Sequence, residues 1–409
     1  MAASLARKLQ NVKLNPTLSS VYRVDETRLR REGLEEEFTP TKIGIGVFHG
    51  DLVSKYQPLK LACFKRFVDR SEKPIDYYWD RLKEIEISIR NFYSPLPKDI
   101  DSDELIESML IDGSFLIELF RGYNDPHNYV IPYHYFGLVR NDLLKVENQI
   151  PFPILELLFQ LQEGCSTDSR IELVNLCVLY FRARIPTTLK GNFEIHDHKH
   201  VLHLYHQIFT ADSFIQISSL PFTLLELLES PQPMTIPSAT QLKHHGIQFQ
   251  TSSKSNTMCV EFKYGTLTLP VIDMNGFNRA VIANLVAYEE MDEPLTQPVT
   301  HLCSLLNSLM PSESDAALLC KKGIVVNALG NETDVVQFFT NLCANLDTNL
   351  EEGYLCPIVY KVNKHYNSKF RKWAAKAKRD LSSQLLTDRI STATERLQSL
   401  LQGVLPIPH

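Results

Sequence analysis

Apolar residues recur at three- and four-residue spacing along most of this chain, and that period predicts helices. Leu59, Cys63 and Phe67 lie four apart in a helix predicted over 58–70. Leu82, Ile85, Ile89 and Phe92 share one face of a second, 77–93, with Glu86 and Arg90 as an i,i+4 ion pair on its side. A third spans 104–120, with Asp103 as its cap and Leu105, Met109, Leu116 and Leu119 inward. Residues 141–160 read as a helix in two pieces, because Pro151 and Pro153 remove backbone donors. Further helices are expected over 170–182, 199–209, 279–289, 301–309, 314–321, 333–346 and 351–401, the last broken near Asp380.

The period changes to two at Ile247-Gln248-Phe249-Gln250 and at Cys259-Val260-Glu261-Phe262. Tyr264-Gly265 then turns the chain into 266–269, which predicts a small antiparallel sheet at 247–269. In 42–50, KIGIGVFHG, glycines alternate with apolar residues, as in a short strand or tight loop. Residues 1–38 are charged and lack an apolar stripe, so a flexible arm is expected, with a helix near 27–37. Pro221, Pro231, Pro233 and Pro237, among many Ser and Thr, mark 210–240 as an internal linker. The expected fold is mainly α with a small antiparallel β-sheet (α+β), in a single compact helical domain over 39–380.

Composition narrows the class. The 409 residues are 44% hydrophobic and 22% charged, enough for an ordinary core. A net charge of −6, with no like-charge block longer than Glu35-Glu36-Glu37, gives no global sign of a nucleic-acid partner. The cysteines (Cys63, Cys165, Cys177, Cys259, Cys303, Cys320, Cys343, Cys356) form no C-x-x-C pair, and MAASLARKLQ has no apolar signal core. Buried free thiols in the reducing cytoplasm are expected. No stretch nears the ~18 apolar residues of a membrane span, so no integral membrane insertion is expected.

Several ordered phrases resemble the plant family called domain of unknown function 247. IGIGVFHGD (43–51) is similar to its Ile-Gly-Pro-Tyr-His opening, and Lys60 and Arg70 follow as in its first helix. Glu86, Arg90 and Tyr93 match its E-x-x-x-R-x-x-Y element. MLIDGSFLIELF (109–120) and RNDLLKVENQIPFPILELLF (140–159) match its D-G-x-F-x-x-E-L-F and D-x-x-x-x-E-N-Q-I-P-F elements. PSATQLKHHGIQF (237–249), GTLTLPVID (265–273), NLVAYEE (284–290) and DAALLCKKGIVVNALG (315–330) follow in the family's order. Val47-Phe48 replace the family's Pro-Tyr. The family usually closes with a transmembrane helix; here 381–409 is polar and amphipathic, with Leu385, Ile390, Leu397, Leu400 and Leu401. The resemblance implies a helical plant protein and little biochemistry. Its association with pollen self-incompatibility in grasses points to recognition.

Carboxylates sit inside the most apolar elements: Asp112, Glu118, Asp142, Glu147 and Glu289. Burying a charge costs several kcal/mol unless it is paired. These five are therefore either a structural network, matched to Arg90, Arg140 and backbone amides, or an acid/base pair with shifted pKa values. His196, His200 and His203 share a helical face at spacing a metal accepts, but H-E-x-x-H is absent and the expected state is a partly exposed helix start without metal. No nucleophile elbow, dinucleotide loop or P-loop occurs, so no cofactor is assigned. The basic run KFRKWAAKAKRD (369–380) reads as a solvated helix face.

Two readings follow. The first is a non-catalytic recognition or interaction protein that meets a protein partner or a second copy through its C-terminal helix. The alternative is a soluble plant enzyme using the five carboxylates on a small molecule.

Overall fold

The N-terminal segment is tied into the core by a two-residue strand. β1 (Val21–Tyr22) runs parallel to β2 (Tyr93–Ser94), with Val21 opposite Tyr93. The Ser20 amide donates to the Phe92 carbonyl at 2.9 Å, and Arg23 to Ser94 at 3.2 Å. Val21, Val24, Leu34 and Phe38 are all buried. The computed structural model describes residues 19–24, 34–49, 53–97, 100–125, 130–164, 167–184, 198–219, 235–252, 258–291, 297–328, 330–344, 346 and 353–368. Within 1–38, the described residues are thus anchored and not a loose arm. Isolated apolar residues in a charged stretch carry no periodic signal, yet each fills a core position.

Helix α1 (Glu35–Phe38) precedes α2 (Val53–Ser71). The expected helix over 77–93 is two, α3 (Ile75–Glu84) and α4 (Glu86–Phe92). They separate at Ile85, whose backbone leaves the helical region at φ −107° and ψ 13°. The central helix α5 (Ser102–Asn124) is capped by Asp101, two residues earlier than expected, through the Glu104 amide at 2.7 Å. It is apolar around nearly its whole circumference from Leu105 to Phe120, as a helix enclosed on all sides must be. α2 and α3 pack on it, together with α7 (Phe152–Glu163) and α8 (Thr167–Phe181). Helix α6 (Tyr133–Val139) comes between α5 and α7 in the chain.

Residues 141–160 are not one broken helix. A short 3-10 turn, Asp142–Leu144, leads into irregular chain, and α7 begins only at Phe152, with Pro153 in its first turn where no amide partner is lost. Helix α9 (Val201–Ser219) crosses into the expected linker, packing on α8 and on the second half of the chain. Residues 220–234 lie outside the described residues. Ile236 is buried again, and Ser238 with Gln241 forms a capping box for α10 (Ala239–His244).

β3 (Gln248–Thr251), β4 (Glu261–Lys263) and β5 (Thr266–Leu269) form a sheet in the order β3-β5-β4. β4 and β5 make an antiparallel hairpin across Tyr264 and Gly265, both left-handed at φ 51° and 79°. β3 lies parallel to β5, so the sheet is mixed and not wholly antiparallel. A further parallel pair, β6 (Ile272–Met274) with β7 (Val325–Asn327), was not expected.

Helix α11 (Gly276–Met291) is the centre of the second half, buried continuously from Ala280 to Glu289. α1 and α12 (Pro298–Leu309) pack on it. α13 (Glu313–Lys321) and α14 (Glu332–Cys343) complete that layer, and α15 (Cys356–Asn367) packs on β4. One continuous apolar cluster runs through both halves, from Val21 to Val362. The fold is mainly α with small sheets. The tail at 381–409 and the basic run at 369–380 lie outside the described residues.

Candidate functional site

The loop 140–151 is a clamp made of polar side chains. Asp142 accepts three backbone amides of the GIGVFHG approach: Thr41 at 3.0 Å, Lys42 at 2.6 Å and Ile43 at 2.9 Å. Asn148 accepts the Ile45 amide at 2.6 Å and donates to the carbonyls of Ile43 and Asp142. Gln149 donates to Leu143 and Lys145 and accepts the Leu202 amide at 3.1 Å. Glu147 accepts the Val24 amide at 2.8 Å, which fixes the N-terminal strand. An irregular chain at this depth has no ladder to satisfy its amides, so side chains do it.

His49 Nε2 stands 3.6 Å from the second Glu147 oxygen. Burial, helped by Arg23, pushes His49 down to about 4, and burial raises Glu147 against the Val24 amide and Arg23. The ring is therefore neutral near pH 7.

Asp112 lies on α5 with Lys60 of α2 beside it. Lys60 Nζ donates to Asp112 Oδ1 and to the Gly44 carbonyl, each at 2.5 Å, and the Gly46 amide donates to Asp112 Oδ2 at 2.9 Å. Burial raises the Asp112 carboxyl, and Lys60 pulls it back. Gly46 is left-handed at φ 76°, and a Cβ there would stand 2.5 Å from the Gln149 carbonyl. A cavity of about 210 Å³ opens beside Asp112, lined also by Gly46, Gln57, Glu104, Glu107 and Ser108.

Glu118 is held by three guanidinium groups: Arg66 at 3.2 Å, Arg70 at 3.3 Å and Arg121 at 3.1 Å. Arg90 and Arg140, the expected partners, do other work. Arg90 binds Glu86 at 2.8 Å, and Arg140 stacks over Tyr123 and Tyr180.

Glu289 closes the second half. It accepts the amides of Val299 at 3.0 Å and Thr300 at 2.8 Å, the Thr300 hydroxyl at 2.6 Å, and His206 Nε2 at 2.7 Å. It is thus an anionic cap for the first turn of α12. The expected exposed histidines are buried instead: His200, His203 and His206 surround the Tyr288 ring at centroid distances of 5.3–5.6 Å. His200 Nδ1 accepts the His203 amide at 3.1 Å, and His203 Nδ1 accepts the Lys199 amide at 3.0 Å. Burial first, then the neighbouring cations and rings, pushes His200 well below its usual value. His196 lies outside the described residues. Among the described residues, no group of three or more His, Cys, Asp or Glu is placed to hold a metal.

The five carboxylates thus sit at separate posts; Asp112, Glu118, Asp142 and Glu289 have donors on both oxygens, and Glu147 on one, with His49 3.6 Å from the other. Only Asp112 among them lines the 210 Å³ cavity. Among the described thiols, burial pushes Cys63 and Cys343 up to about 12, away from the nucleophilic thiolate form. Sequence reasoning missed Lys145, which donates to the carbonyls of Glu36 and Glu37, and Asn284, which accepts the Val146 amide at 2.8 Å and donates to Glu37 at 2.6 Å. Asn284 was findable as the one polar residue in the apolar run AVIANLVAY.

Comparison with known proteins gives kinship without chemistry. The DUF247 family model, described as a plant protein of unknown function, matches residues 21–391. UPF0481 protein At3g47200 of Arabidopsis thaliana is 24% identical over 374 residues, covering 84% of this chain and 76% of the relative. Putative UPF0481 protein At3g02645 of the same plant is 23% identical over 475 residues, covering 90% and 86%. No solved structure matches the chain.

Proposed function

We propose, from the premise that this chain belongs to the DUF247 family of plant proteins, that it is a non-catalytic recognition protein. One observation carries the reading. Asp112, Glu118, Asp142, Glu147 and Glu289 are each engaged by amides, lysine, arginine or histidine that the fold itself needs satisfied. A general acid or base needs an oxygen free to meet substrate. Asp112, Glu118, Asp142 and Glu289 are paired on both oxygens, and the second Glu147 oxygen faces the neutral His49 ring; carboxylates held in this way fix loops to helices and leave the outer surface for recognition. The protein then works by presenting a rigid face to a partner, with residues 381–409 offering an amphipathic segment for a protein or a second copy. No helix among the described residues is long and apolar enough to cross a membrane. The free buried thiols support a cytoplasmic location.

The test compares wild type with Glu147→Gln and Asp112→Asn. The three proteins are each incubated with a small-molecule extract of plant tissue, and consumed compounds are read by mass spectrometry. The expected result is no consumption by any of them, with lower melting temperatures for the variants. Turnover by wild type that disappears in a folded variant would establish the enzyme reading in place of this one.

A further inference from the structure

The cations of this acidic chain gather where α10, the β4–β5 turn and α15 meet. The His245 ring packs on Tyr366 at 4.2 Å between centroids, and Phe262 packs edge-on against His365 at 5.3 Å. These contacts bring the C-terminal ends of α10 and α15 to the hairpin. Lys243, His244, Lys263, Lys361 and Lys364 are exposed around them. Among the described residues of these three elements the single carboxylate is Glu261, already bound to Lys263 at 3.0 Å. These three elements therefore carry an excess of positive charge in a chain of net charge −6, with Glu313 and Asp315 of α13 adjoining the other end of α10 at Thr240. Cations in a last helical turn also complement the helix dipole, which accounts for Lys243 and Lys364. It does not account for Lys361 or Lys263.

Tyr264 adds a second observation. It stands at the tip of the two-residue turn, wholly exposed, and its backbone is left-handed at φ 51°. A tyrosine in that conformation is strained, and a bare ring gains nothing from the fold. An aromatic ring at a protruding tip with lysines behind it suits the headgroup layer of a bilayer, where the ring enters and the ammonium groups meet phosphate. α15 packs on β4 at one edge of this sheet.

We infer that this face docks peripherally on an anionic phospholipid surface, with Tyr264 as its wedge. The inference goes beyond the recognition reading and does not depend on the buried carboxylates. It adds where the protein would work: against an acidic leaflet.

The experiment is vesicle flotation of the full chain, with phosphatidylcholine vesicles and with vesicles containing added phosphatidylserine. Binding is expected only with phosphatidylserine, falling several-fold between about 0.1 M and about 0.5 M salt. Lys361→Glu with Lys364→Glu should weaken it at least about ten-fold. Tyr264→Asn, which suits the left-handed turn, should weaken it about three-fold or more at unchanged charge. The milder pair Lys361→Gln and Lys263→Gln serves if the reversed pair unfolds, and Lys65→Glu on α2 should leave binding intact. Equal binding to both vesicle types, or indifference to the face substitutions, overturns the inference. Binding to polyglutamate or to duplex DNA without binding to vesicles assigns the face to another partner and overturns it equally.

Discussion

Glu289 receives His206 Nε2 at 2.7 Å in a site closed to water, which joins α9 to α11 through one oxygen that also caps α12. With a carboxylate as acceptor, Nε2 must be the protonated nitrogen of the ring. Glu289→Gln keeps the shape and removes the charge, leaving an amide NH2 facing donors. The expected loss is about 3 kcal/mol of unfolding free energy in a denaturant titration. Glu104→Gln, an exposed position on α5, should stay within about 0.5 kcal/mol.

Gly46 and Gly137 offer opposite outcomes from one substitution. At Gly46 alanine meets a positive φ and a carbonyl at 2.5 Å, so a loss of more than about 2 kcal/mol is expected. At Gly137, exposed inside α6 with open space around it, alanine should add roughly 0.5 kcal/mol through helix propensity. Thermal melts of the two single variants check the sign of each.

Asp142→Asn tests the clamp. One oxygen remains for three amides, and the new NH2 points at donors. About 2 kcal/mol should be lost, with faster hydrogen exchange at Thr41, Lys42 and Ile43. Unchanged exchange at those three amides would refute the clamp.

Acid should loosen the fold through His49 and His200. Both rings titrate lower in the folded state than the ~6.5 of an unfolded histidine. The unfolded chain therefore binds more protons, and stability rises with pH across that window and falls on acidification. With His49 near 4, going from pH 7.5 to 5 should cost about 2 kcal/mol from this group alone. Raised carboxyls at Asp112 and Glu147 act oppositely, over a window that starts at their ordinary values of 3.8 and 4.5 and runs upward. His49→Gln should flatten the pH slope of the melting temperature between 7.5 and 5.

Much of the helical framework was legible because burial on one face imposes a period. The helices at 58–70 and 301–309 were found within a few residues of α2 and α12. The hairpin was legible from Tyr264-Gly265. The parallel partner of β3 was not, since alternation predicts a strand and says nothing of its neighbour. β1 was invisible for a related reason: two residues cannot display a period. That five carboxylates lay in apolar surroundings could be read directly. Their partners could not, because Val24, Lys60 and Val299 are brought to them only by tertiary structure.

Asn284 carries a consequence for synthesis. Its side chain binds Glu37, 247 positions earlier, and Val146, 138 positions earlier. Translation delivers those two segments long before their common tether. Until α11 emerges, the Val146 amide and the Glu37 carbonyl lack this native partner, and the nascent N-terminal half holds incomplete packing. The molecule is completed late and all at once, so a ribosome stalled before residue 284 should display a chain that proteases and chaperones treat as unfinished.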